Sequence, residues 1–240
     1  RRSLGNFYMG RCPKKMVISV NWFIGEFLMR LFKRLSVLWL FLALGSPNLM
    51  AADIKPDVLV KNTVDKIMHA IETDMDISAG DMAKSIEFVE AQVAPHFDFS
   101  RMARLAVGRP WRQATPEQRD AIIHEFRLLL IRSYASAFTR FKGIKIEILP
   151  LRPSENPDWA LVESVIKLPT AVAQPISLNY DMELIDGKWK VFDLQIDGAS
   201  LIINNRNIFQ REIQSSGIDG LIYTLKQKNA ENTNSEGGAR

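Results

Sequence analysis

Val60, Val64, Ile67, Met68, Ile71 and Met75 recur at the three- and four-residue spacing of a helix, with Lys61, Asp65, Lys66 and Glu72 between them. Asp57 to Met75 therefore reads as a helix with one apolar face. A second helical pattern runs from Asp81 to Val93 and must end near Pro95, because proline disfavours helical geometry in the residue before it. Phe97 to Met102 leads into a short helix that Gly108 and Pro110 stop. The clearest start signal is Thr115-Pro116-Glu117-Gln118, with a Thr N-cap, Pro at the first helical position and Gln at the third, the pattern of a capping box. The helix it opens is predicted to reach Lys142, about 40 Å at ~1.5 Å per residue, with Gly143 as its cap. Phe126 and Leu128 to Ile131 make its middle apolar on nearly every side, so it is expected to be the enclosed, central helix.

After Gly143 the period changes to two. Ile144, Ile146 and Ile148 alternate with Lys145 and Glu147, and a proline-rich turn follows from Pro150 to Trp159. Ala160 to Leu168 reads as a strand. Ile176 to Leu184 is the cleanest, with Ile176, Leu178, Tyr180, Met182 and Leu184 on one face and Ser177, Asn179, Asp181 and Glu183 on the other. Asp186-Gly187 is a hairpin turn, and Trp189 to Ile196 is the return strand. Helices followed by consecutive antiparallel strands predict an α+β domain, its helices packed on one face of the sheet. Two short helices, Asn207 to Gln214 and Ile218 to Lys228, are expected to close it. The polar tail from Glu231 to Arg240 reads as disordered.

The first fifty residues change the charge picture. Met29 opens a stretch with a basic start (Arg30, Lys33, Arg34), an apolar run from Leu35 to Gly45 and a small-residue site at Ala51 and Ala52, the layout of a secretory signal peptide over residues 29–52. The run is about 11 residues, well short of the ~20 that span a bilayer as a helix. Residues 1–28 read as an upstream extension with no folded role, and 53–230 as the folded domain. The whole chain has a formal charge of +4, but residues before Asp53 hold 8 of its 31 basic and 1 of its 27 acidic side chains. From Asp53 onward the balance is 23 against 26, or −3, and the case for nucleic-acid binding loses its main support. The single cysteine, Cys12, lies in the same discarded part, so the expected mature, exported chain needs no disulfides and has no cysteine for a zinc site.

Chemistry is scarce. The three histidines, His69, His96 and His124, fall in different segments without metal-ligand spacing, and no metal site or catalytic residue is expected. His96 and Asp98 stand two apart and form a conceivable acid-base pair; a histidine beside a proline at a helix end also serves for local hydrogen bonding. An enzyme of the small cone-shaped α+β kind, using His96, Asp98 or Tyr134, is one alternative, and an interaction module with a solid core is another. The large apolar residues do not choose between them, since composition is the same for a filled core and for a cavity wall.

A resemblance does choose. Phe97-Asp98-Phe99, Met102, the run from Gly108 through Trp111 to Gln118, Phe126 with Leu129-Leu130, and Arg132-Ser133-Tyr134-Ala135 resemble the MlaC family of periplasmic phospholipid-binding proteins. Trp189-Lys190-Val191, Asp193, Ile196 to Leu201, Asn204-Asn205-Arg206 and Phe209 continue it in order. Ala199 stands where the family pattern has a bulkier Val, and Asn205 where it has Tyr. The resemblance implies an apolar cavity between sheet and helices that encloses the acyl chains of a phospholipid, with no other cofactor. It also implies passage of that lipid between an outer-membrane lipoprotein-porin complex and an inner-membrane ABC transporter complex. On that footing the expected lining is Phe97, Met102, Leu105, Trp111, Phe126, Leu130, Tyr134, Tyr180, Met182 and Phe209. Arg109 and Arg112, beside Trp111, are the candidates for a headgroup phosphate, with plain solvated arginines as the other reading.

Overall fold

In the structure, a computed structural model that describes residues 54–136, 143–169 and 174–237, with side chains to Asn232, carboxylates set several of the helix starts. The expected signal peptide and upstream extension lie outside the described residues. α1 (Pro56–Thr73) stops where Asp74 adopts extended geometry, φ −89° and ψ 114°. The Asp74 carboxylate then accepts from the N–H groups of Asp76 and Ile77 and caps α2 (Met75–Ala79). Met75 consequently leaves the apolar face predicted for it and stands 84% exposed. Asp81 caps α3 (Met82–Gln92) by accepting from Lys84 N at 3.0 Å.

A 3₁₀ turn (Ala94–His96) leads to α4 (Phe99–Val107), where Asp98 accepts from Arg101 N at 2.9 Å. Gly108 ends α4 at φ +70°, a conformation strained for any side chain. A second 3₁₀ turn, Arg109–Arg112, follows. α5 (Pro116–Ala135) opens on the complete capping box: Thr115 N donates to Gln118 Oε1 at 3.0 Å, and Gln118 N to Thr115 Oγ1 at 3.2 Å. Its predicted extension to Lys142 falls on residues 137–142, outside the described ones.

The strands are β1 (Lys145–Ile148), β2 (Trp159–Lys167), β3 (Ile176–Ile185), β4 (Lys188–Ile196) and β5 (Ala199–Ser200). They form one sheet in the order β1-β2-β3-β4-β5, each antiparallel to its neighbour. Asp186 and Gly187 both have positive φ, 50° and 72°, which gives the β3–β4 hairpin a twist that suits its strands. The ladder slips once: Met182 pairs with Val191 and Asp181 with Asp193, which leaves Phe192 as an extra residue in a β-bulge.

α6 (Leu201–Gly237) comprises the two helices expected from Asn207 onward, the first longer at its start and the second at its end. It starts earlier because Asp193 Oδ1 accepts from Ile202 N at 3.0 Å and Ser200 Oγ from Ile203 N at 3.0 Å. It bends at Gly217, φ 73° and ψ −174°, between the two expected segments. The helix also continues to Gly237, into the polar tail read above as disordered. Leu221 and Leu225 fix the second arm in the core, and each further residue then gains a helical bond without a new nucleation cost. No helix among the described residues is long and apolar enough to cross a membrane.

Three cores result. Met102, Ala106, Ile122, Phe126, Phe209 and Leu221 join α4, α5 and α6. Ile71, Ile77, Val89 and Ile131 join α1, α2 and α3 to the end of α5. Val162, Tyr180, Met182 and Val191, on the inner face of the sheet, meet Val60 and Val64 of α1. The helices thus cover one sheet face, in the expected α+β class.

Candidate functional site

The second and third of these cores do not close on each other. Between α1, α3, α4, α5 and the inner sheet face lies a cavity of about 370 Å³, within the ~300–1,000 Å³ of small-molecule sites. β3 forms its long wall. Ile176, Leu178, Tyr180 and Met182 all face it because side chains two apart share a sheet face. Six residue steps at ~3.3 Å give a wall of about 20 Å, longer than the ~15 Å hydrocarbon depth of one bilayer leaflet.

Val191 and Leu194 of β4 also face the cavity although they stand three positions apart. On a regular strand an odd separation would put them on opposite faces. The bulge at Phe192 absorbs the extra residue, so that they pair with Met182 and Tyr180 respectively.

The wall is almost wholly apolar. Among the described residues that line it, Thr63, His96, Tyr134 and Tyr180 have polar side chains. Thr63 Oγ1 is occupied, donating to Leu59 O at 2.9 Å. The Tyr180 hydroxyl hydrogen-bonds to Ser164, and burial pushes it up to about 12. Ser164 in turn donates to Leu178 O at 2.6 Å, so this buried pair is internally satisfied. Burial, then the charge of Asp193, raises the Tyr134 hydroxyl above its ordinary value. Both phenols therefore stay neutral. His96 is only partly covered, and its imidazole is held below the usual 6.5 by burial, then by Lys190 and Lys66. Asp98 is occupied in capping α4 rather than paired with His96. No group of three or more His, Cys, Asp or Glu among the described residues could hold a metal ion.

Six of the ten residues expected at the lining are there: Phe97, Met102, Leu130, Tyr134, Tyr180 and Met182. Four are elsewhere. Phe126 and Phe209 pack against each other in the helical core, and Leu105 and Trp111 lie on its margin. Arg109 and Arg112 are exposed on the 3₁₀ turn beside Trp111, and neither reaches the cavity wall. That turn follows Gly108, whose neighbours are Arg206 and Gln210 of α6, on the side of the helical core. A whole face of α1, including Val60, Val64 and Ile67, was absent from the expected lining. The periodicity that predicted the helix carried that face; what it lacked was the partner.

The chain matches the family model described as MlaC protein over residues 61–227. It is 24% identical over 178 residues to the intermembrane phospholipid transport system binding protein MlaC of Haemophilus influenzae, an alignment covering 73% of this chain and 83% of that protein. The solved structure of a phospholipid-binding protein from Ralstonia solanacearum, in complex with a phospholipid, matches with a TM-score of 0.68 and 32% identity. That match covers 74% of this chain and 98% of the other. With more than half its length matched by the family model and its cavity built on the same fold, this chain belongs to the MlaC family.

Proposed function

We propose that this protein is a phospholipid carrier, enclosing the acyl chains of one lipid in the cavity under the sheet. The observation that carries the reading is the apolar wall of β3, about 20 Å long, too long for a small metabolite and long enough to cover a lipid tail. About 30 methylenes at ~0.8 kcal/mol each oppose the transfer of a phospholipid into water by roughly 24 kcal/mol. A lipid crosses an aqueous compartment only if a comparably dry space encloses it. The named relatives, one for intermembrane phospholipid transport and one bound to a phospholipid, support the same reading.

The carrier works in the periplasm, between an outer-membrane lipoprotein-porin complex and an inner-membrane ABC transporter complex. An attraction of this size would hold the lipid indefinitely, so release requires a partner that binds an opened state better than the closed one. The decisive experiment is native mass spectrometry of the chain from Ile54 onward, purified without detergent, followed by extraction of any bound molecule. One phospholipid per chain, lost on denaturation, is the expected result. A clean protein mass together with no uptake from phospholipid vesicles would sink the carrier reading.

A further inference from the structure

The apolar cavity accounts for the tails of a lipid and leaves its phosphodiester without a partner. That group carries a negative charge and belongs where the wall meets water. His96 is the lining residue able to carry positive charge, and it is partly exposed. Three segments converge around it. His96 comes from the 3₁₀ turn after α3; Lys190 of β4 donates from Nζ to the carbonyl of the adjacent Pro95; Lys66 of α1 reaches Gln92 Oε1 at 3.2 Å.

Both lysines thus rest on neutral oxygen acceptors. Among the described residues, the side-chain ion pairs of the fold involve other cations, and neither Lys66 nor Lys190 has a carboxylate within 4.0 Å. The charges that act on the imidazole are both positive, and they add to burial in lowering its proton affinity. Glu183, the cross-strand partner of Lys190, is engaged by Arg101, so the two ammonium groups and the imidazole N–H beside the cavity wall can still donate to an anion with several acceptor oxygens. Lys66 is one residue from Ile67 and three from Thr63, both on the wall, so an anion held by its ammonium lies next to the tail space.

We propose that His96, Lys66 and Lys190 form an anion site at the edge of the cavity that takes the phosphodiester of the bound lipid. The site rests on the carrier reading for its ligand, while its chemistry is that of any phosphate. It replaces Arg109 and Arg112 as the place where a headgroup is recognised.

The imidazole signals of His69, His96 and His124 in a carbon–proton correlation spectrum give a direct test, with His69 and His124 as internal controls. Protein is exposed in turn to vesicles doped with phosphatidylglycerol, to the same vesicles doped with diacylglycerol, and to inorganic phosphate. Phosphatidylglycerol is expected to move the His96 signal and diacylglycerol to leave it in place. Lys66→Gln/Lys190→Gln is expected to lose about tenfold in preference for phosphatidylglycerol over diacylglycerol, the scale of a lost charged hydrogen bond. Should the double variant misfold, Lys66→Gln alone, at an exposed position, is expected to reduce the same preference. Uptake of phosphatidylglycerol with His96 unmoved overturns the proposal and leaves the carrier reading standing. If neither lipid enters, the carrier reading fails; a shift with inorganic phosphate then identifies a free-phosphate site, and none overturns the anion site itself.

Discussion

The ring of Phe209 meets the ring of Phe126 edge-on, centroids 5.1 Å apart and planes at 74°, in the core that joins α6 to α5. Both side chains are fully buried and neither lines the cavity. Phe209→Ala is expected to cost about 3–5 kcal/mol, the range for deleting a buried aromatic ring. Urea unfolding measures the loss. Lipid content per folded chain, determined by mass spectrometry, is expected to stay at the wild-type value; a fall would return Phe209 to the binding site.

Leu178 stands in the middle of the β3 wall. Leu178→Trp puts an indole into space that a tail would occupy and that is otherwise empty. The lipid-free variant is expected to be at least as stable as the lipid-free wild type, because the ring fills a void rather than a packed core. Uptake from phospholipid vesicles is expected to fall at least about tenfold, the loss of roughly 1.4 kcal/mol of binding. Unchanged uptake by the folded variant would remove this wall from the site.

His96 ties stability to pH. Its folded value lies below the unfolded 6.5, through burial and then Lys190 and Lys66. Above pH 6.5 both states are neutral at this residue and it contributes nothing. As pH falls below that value the unfolded chain binds a proton that the folded chain resists, so stability drops until the folded value is passed. The urea midpoint of lipid-free protein is expected to decline over this interval more steeply for wild type than for His96→Asn. Parallel declines would show that His96 carries no such penalty.

Arg101 reaches from α4 to the outer side of the sheet, where it pairs with Glu183 and lies over Phe192, its guanidinium carbon 4.1 Å from the ring centroid. The pair is largely covered, with side-chain exposures of 15% and 22%. Arg101→Ala strands the Glu183 carboxylate and is expected to cost about 3 kcal/mol. Arg101→Met keeps the stem's packing against Phe192 and Trp159 and should recover part of that. Equal losses for the two variants, in urea unfolding, would assign the whole effect to charge.

Signals that act within a few residues were legible in the sequence. The capping box of Thr115 and Gln118 is local, and both of its bonds form. The face of β3 that meets the cavity follows from strict alternation between Ile176 and Met182. The start of α6 was not legible, because its cap comes from Asp193, nine residues before Ile202 and on another element. Nor could the lining be separated from the core. Phe97 and Phe126 are chemically the same residue, and only the packing of α1 and α6 decides which meets a void and which meets Phe209.

The extra residue in β4 has an architectural consequence. Because the bulge absorbs Phe192, the strand can gain a side chain on its far side without rephasing the one that faces the lipid space. The two surfaces of the sheet are thereby uncoupled, as a spacer uncouples two reading frames. The outer surface has a ring to seat against Trp159 and beneath Arg101, while Val191 and Leu194 keep their places within. Whatever meets the outer surface can impose its own requirements there, and the interior that holds the cargo need not change in response.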